Sequence, residues 1–323
     1  MASGCAAGAE TPLEQRTERF VLLVVVAVLL STAAGVVAEH RWAATQAAVR
    51  AVLTLMLYVL VPFVAYVSFA HLHLSLGAGV GLVLAYAGLG LAGFLAWLFG
   101  RRLGVARPVL GGVICGAMLV NTGYLGLPMC VVLLGTHALS HAVAYDQVVS
   151  GPMVFTAGFA VGAAFGTRPG AGAGQRLRTF LTRNPPLVAA IAGLLVPAAL
   201  APQPLVRASH LVVDALLVLG FIVVGVFLSS ERREDHAPLL ERPDRAVLLA
   251  VSLRFTVTPA LFLAVSGAGL AIPTAYVLQA AMPTGINSLV VGHAYGLDQR
   301  TIATIIVWTT IVVLVWGTIA YLL

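Results

Sequence analysis

No lysine occurs anywhere in this chain: all 18 basic residues are arginine. That absence removes the lysine of a phosphate-binding P-loop and any lysine Schiff base. The glycine-rich stretch GTRPGAGAGQR, Gly166 to Arg176, is therefore no phosphate cradle. Its Pro, Gly and Arg content reads as a flexible linker. Charge of either sign is scarce: 9% of residues are charged and 60% are hydrophobic, against roughly 25% charged in a soluble domain. Such a chain cannot coat a water-facing surface, which predicts an all-α integral membrane protein. Cysteine is scarce too, and Cys5, Cys115 and Cys130 show neither CxxC spacing nor a disulfide framework. HExxH, GxSxG and paired intramembrane aspartates are missing, so an intramembrane enzyme is not expected. The histidines have no metal spacing, and no metal or cofactor is expected. The net charge of +6 is spread over short loops rather than one face, which disfavours nucleic acid as a partner.

What the chain does have is long apolar runs. Ten approach the 20 residues that cross a bilayer: 20–38, 49–70, 77–99, 108–135, 146–166, 185–201, 209–229, 246–270, 273–295 and 300–322. The first is read as a retained helix rather than a signal peptide, because the segment before it is net acidic. With ten crossings both termini share a side. Arg16, Arg19 and Arg207 fall on that side, Arg254 falls within the eighth run, and the other 14 arginines lie opposite. This bias predicts a cell-membrane protein with both termini extracytoplasmic. The predicted organisation is a tail over 1–19, a five-helix half over 20–166, a cytoplasmic linker over 167–184 and a second half over 185–323. Five crossings per half make the two halves inverted repeats.

The fourth run is interrupted by VNTGYLGLP, Val120 to Pro128, and the ninth by AAMPTGINSLV, Ala280 to Val290. Matched interruptions in inverted halves point to a transporter's binding site. Pro128 and Pro283 suit the first turn of a helix, so each predicts a fresh half-helix in mid-membrane. The free N–H groups and partial positive charge of two such ends favour an anion, most simply a carboxylate. Asn121, Thr122, Thr284 and Asn287 can bond freed backbone groups or the ligand. Gly123, Gly126 and Gly285 let the chains cross closely, and Tyr124 can stack on an apolar ligand. Arg254, in LRFTVTPA, is a costly charge within a span, read as pairing inside the bundle or attracting the anion. Asp146 and Gln147 open the fifth run; Gln147 can reach the crossing, whereas Asp146 reads as a helix cap.

At VNTGYLGLP, LRFTVTPA and QAAMPTGINSLVVGHAYGLD, Gln279 to Asp298, the sequence resembles the auxin efflux carrier family, over about residues 20–322. The resemblance implies ten helices in two inverted five-helix repeats, with broken helices 4 and 9 crossing. It further implies a homodimer, a scaffold of helices 1, 2, 6 and 7, and a mobile transport domain of helices 3–5 and 8–10. The family's crossover asparagine falls on Asn121, its prolines on Pro128 and Pro283, and its glutamine on Gln147. The short linker departs from the large cytoplasmic insertion of the plant carriers. The function expected is secondary transport of a small organic anion, an auxin-like acid or a dicarboxylate, by elevator-type alternating access. The alternatives are a sodium- or proton-coupled symporter similar to bile acid carriers, and a membrane receptor that binds without translocating.

Overall fold

The computed structural model describes residues 12–42, 44–71, 79–167, 184–230 and 242–322. Residues 1–11 of the predicted tail, with Cys5, lie outside the described residues, as do 168–183 of the predicted linker with Arg168, Arg176, Arg178 and Arg183. Arg232 and Arg233 also lie outside them.

The described chain is helical, and among the described residues there is no β-strand. In order the helices are α1 (Pro12–Arg41), α2 (Thr45–Ala70), α3 (Gly79–Arg102), α4 (Arg107–Met118), α5 (Thr122–Leu134) and α6 (Leu139–Phe165). Then follow α7 (Pro185–Leu195), α8 (Gln203–Ser230), α9 (Arg245–Gly267), α10 (Thr274–Ala280), α11 (Asn287–Tyr295) and α12 (Gln299–Leu322). By length and composition α2, α3, α6, α8, α9 and α12 can each cross a membrane, whereas α4, α5 and α7 are shorter apolar helices.

Local signals set the boundaries. Asp244 Oδ1 accepts from the Val247 amide at 2.8 Å to start α9, and Asn184 Oδ1 accepts from Leu187 at 3.1 Å to start α7. Asp298 does the same for Thr301 at 2.8 Å ahead of α12. Arg101 and Arg102 fill the last turn of α3, where cations complement the carbonyl end of a helix. α11 stops at Gly296, which takes φ of +75°.

Two boundaries differ from the sequence reading in ways that matter. α6 begins at Leu139, not at Asp146, because the polar residues His137, Ser140 and His141 broke an apolar run that the backbone continues as helix. Asp146 therefore stands seven residues into α6, about 10 Å along its axis, and caps nothing there. The second break also ends later than Pro283 suggests: α11 starts at Asn287, and Pro283 lies in the non-helical connection.

α1 packs along α8, and α7 along α2. α3 packs on α9 and α4, and α4 is also covered by α9 and α12. The two breaks lie inside this second group of helices.

Candidate functional site

A helix broken within a bilayer exposes backbone groups that lipid cannot satisfy. Here each break satisfies the other. The Asn121 amide donates to the Pro283 carbonyl at 2.8 Å, and the Gly285 amide donates to the Leu119 carbonyl at 2.9 Å. Val120 and Thr284 thus form one antiparallel bridge where the chains cross. Pro283 has no amide to donate, but its carbonyl suffices for this pairing. A Cβ on Gly285 would lie 2.9 Å from the Val120 carbonyl oxygen, so this approach requires glycine. The crossing is pinned from outside as well. Thr284 Oγ1 donates to the Gly116 carbonyl at 2.7 Å, and the Thr284 amide donates to Thr309 Oγ1 on α12 at 3.1 Å.

α5 leaves the crossing as a π-helical turn over Thr122–Gly126. The Gly126 amide reaches the Asn121 carbonyl and the Leu127 amide reaches that of Thr122, each five residues back. Pro128 comes one residue later, in the first α-helical turn. The fresh half-helix therefore starts six residues before the proline. The wide turn takes up the distortion that a proline imposes.

Three observations define what the crossing offers. Asn121, the residue before α5, is 2% exposed, yet neither its amide oxygen nor its amide nitrogen has a hydrogen-bond partner. Unpartnered buried polar atoms are rare because each costs about 1–3 kcal/mol. Asn287, the first residue of α11, likewise leaves its buried Oδ1 without a partner. Finally, Thr122 donates its hydroxyl to Asp146 Oδ1 at 2.5 Å. A Cβ on Gly123 would lie 3.3 Å from that same oxygen. Gln147 follows Asp146 on the π-helical turn Asp146–Ser150, which packs against the first turn of α5, and is half-buried. Tyr124 is half-buried against the hydrophobic core.

Gln279 of α10, fully buried, was not singled out from the sequence. Its Nε2 donates to the Ala142 carbonyl at 3.2 Å and to that of Thr122 at 3.4 Å, while Oε1 has no partner. It fills the space beside Gly126, where a Cβ would fall 2.0 Å from Oε1. The signal was present as a lone amide in an apolar run, four residues before Pro283. Asp146 carried a comparable signal, a lone acid, which the misplaced start of α6 concealed.

Arg254, from the middle of α9, is completely buried. Its Nη1 donates to the Ala117 carbonyl at 3.1 Å and its Nη2 to the Ala280 carbonyl at 2.6 Å. Ala117 and Ala280 belong to the last turns of α4 and α10, where unpaired carbonyls concentrate negative charge. The guanidinium fork thus ties together the carbonyl ends of both first half-helices. Of the two roles read from sequence, these bonds perform the pairing within the bundle.

Residues 177–321 match the family model for membrane transport proteins. That match covers 145 of the 323 residues, and it is to the family of the auxin efflux carriers that this part of the chain is similar. An uncharacterized transporter of Methanocaldococcus jannaschii is 27% identical over 239 residues, spanning 70% of this chain and 73% of its own. An uncharacterized transporter of Methanothermobacter thermautotrophicus is 26% identical over 240 residues, spanning 70% and 72%. With its apolar helices, this makes the protein a multi-pass transporter that sits in the lipid bilayer and carries a small substrate. The matched residues of this transporter hold Arg254, Gln279 and the whole second break.

Proposed function

We propose that this transporter carries small organic anions, binding a carboxylate where α5 and α11 begin beside the crossing. The observation that carries this reading is the Asn121 amide, buried with both polar atoms unpartnered at the first turn of α5. A carboxylate would accept from its NH2 group and from the free N–H groups of the π-helical turn, as anions do at helix N-termini. Asn287 and Gln147 complete the polar surroundings, with Thr284, Gly285 and Pro283 holding the second chain in place. Thr122, Gly123, Tyr124 and Gly126 shape the first. Arg254 and Pro128 support the site through the backbone.

The mechanism proposed is elevator-type alternating access in ten crossings built as two inverted repeats, with α4–α5 and α10–α11 each counting once. The packing supports this layout: exchanging each helix with the one six later maps the α1–α8 contact onto α7–α2. The same exchange maps α3–α4 onto α9–α10, and α4–α12 onto α10–α6. The scaffold would be α1, α2, α7 and α8, and the moving body the rest, in a homodimer with both termini extracytoplasmic.

The test is counterflow of labelled malonate, benzoate and indole acetate into proteoliposomes of the purified chain. Saturable exchange of at least one acid is expected, with its loss in Asn121→Ala. Exchange of neutral solutes or cations alone would overturn the anion assignment. Ligand-induced stabilisation without any exchange would make the protein a receptor instead.

A further inference from the structure

An internal carboxylate already stands against the tip that the substrate would use. Asp146 Oδ1 accepts the Thr122 hydroxyl at 2.5 Å and lies against Gly123, at the first turn of the 13-residue α5. The residue just before that turn is Asn121, 2% exposed and unpartnered at both amide atoms, which marks the same tip as a place built for a ligand.

The groups that face Asp146 do not supply a fixed positive charge. α5 presents Tyr124, within electrostatic reach of the carboxylate. α3 presents Tyr86, whose hydroxyl is engaged with the Val148 carbonyl at 2.6 Å. The preceding turns of α6 carry His141 and Tyr145. Arg101 and Arg102 of α3 are 15 and 16 residues beyond Tyr86, more than about 20 Å along the helix. Among the described residues Asp146 has no ion-pair partner. An ionised acid here depends on the Thr122 hydroxyl and on the positive end of α5.

A substrate carboxylate seated at that end competes for the same stabilisation. Two carboxylates sharing one small site cannot both stay charged, so one takes up a proton. We infer that Asp146 is the proton-coupling residue of this carrier, protonated when the anion binds at the Asn121 end of α5 and deprotonated when the site is empty. The proton comes from water on the side where the anion enters and returns to water on the other side, so anion and proton cross together. This rests on the anion reading above and adds the coupling ion and the residue that holds it.

Calorimetric titration of the purified full chain with malonate and with benzoate, in buffers of different ionisation enthalpy, counts protons taken up on binding. Wild type is expected to take up a proton with the anion, and Asp146→Asn to bind without proton uptake. In proteoliposomes, acid outside should drive accumulation of label above equilibrium in wild type only. Anion binding without proton uptake in wild type, or uptake that persists in Asp146→Asn, overturns the coupling role and leaves the anion reading standing. Absence of binding and of exchange for every acid overturns both. Should Asp146→Asn bind too weakly to titrate, Asp146→Glu decides: proton uptake over a displaced pH range supports the assignment, and an undisplaced range rejects it.

Discussion

The Asn121 amide and the Pro283 carbonyl meet at 2.8 Å, joining two helices at the point where each is broken. This bond uses the backbone of Asn121 and leaves its side chain unpartnered, so at this residue the fold rests on the backbone and the proposed binding on the side chain. Asn121→Ala removes two buried unpartnered atoms while keeping the amide. Stability should therefore not fall, since relief of two unpartnered atoms, each costing about 1–3 kcal/mol when buried, offsets the packing lost with the side chain. Counterflow, in contrast, should fall at least about tenfold, the loss expected for removing one good polar contact of about 1.4 kcal/mol. A melting temperature that falls in step with flux would show the side chain to be structural.

Gly285→Ala tests the crossing itself. The added methyl would stand 2.9 Å from the Val120 carbonyl oxygen, a backbone atom that cannot swing aside. A cost of roughly 1–3 kcal/mol follows from overpacking, seen as a lower melting temperature together with lost transport. An unchanged melting temperature would mean that the two breaks separate easily.

At Gly126 the obstacle is the end of a side chain, Gln279 Oε1, and the expectation differs accordingly. Gly126→Ala alone should destabilise. Combined with Gln279→Ala it should recover part of that loss, because the second change vacates the contested space. Additive losses in thermal melts would show that the two positions do not share it, since coupling appears as non-additivity between neighbours.

Arg254 is predicted to resist replacement even by lysine. Its two bonds reach carbonyls on different helices, and a planar fork holds both where a single ammonium on a flexible stem does not. Hydrogen bonds from a charged donor contribute about 1.5–3 kcal/mol each. Arg254→Lys should therefore lower stability by about that much, and Arg254→Gln by more. Detergent-solubilised melts measure both, and a lysine variant as stable as wild type would contradict the bridging role.

Thr309→Val is the mildest of these changes in shape. It leaves the Thr284 amide without its acceptor at the core of the crossing. The expected loss is about 1–3 kcal/mol, with weakened exchange, whereas Thr309→Ser should behave as wild type in the same assays.

The sites of both breaks were legible because VNTGYLGLP and AAMPTGINSLV place glycine, proline and short polar residues where lipid tolerates only helix. Their first helical residues were not. Pro128 and Pro283 mark where a helix can start, yet Thr122 and Asn287 are where α5 and α11 do start. A π-helical turn and a backbone pairing between distant segments decide that, and neither has a local sequence signature. Asp146 was misread for a related reason: its carboxylate bonds a threonine 24 residues away, whereas a cap is judged from neighbours along the chain.

By itself the sequence determined that this chain is helical, lives in lipid and interrupts two of its helices, since composition and apolar run length are properties of the chain alone. Only the tertiary structure decided where the freed polar groups go. Leu119 turns to Gly285, Arg254 to Ala117 and Ala280, and Thr122 to Asp146, while the Asn121 side chain turns to nothing. Hydrogen bonds between segments remote in sequence depend on how helices pack, and packing is fixed by the whole fold at once.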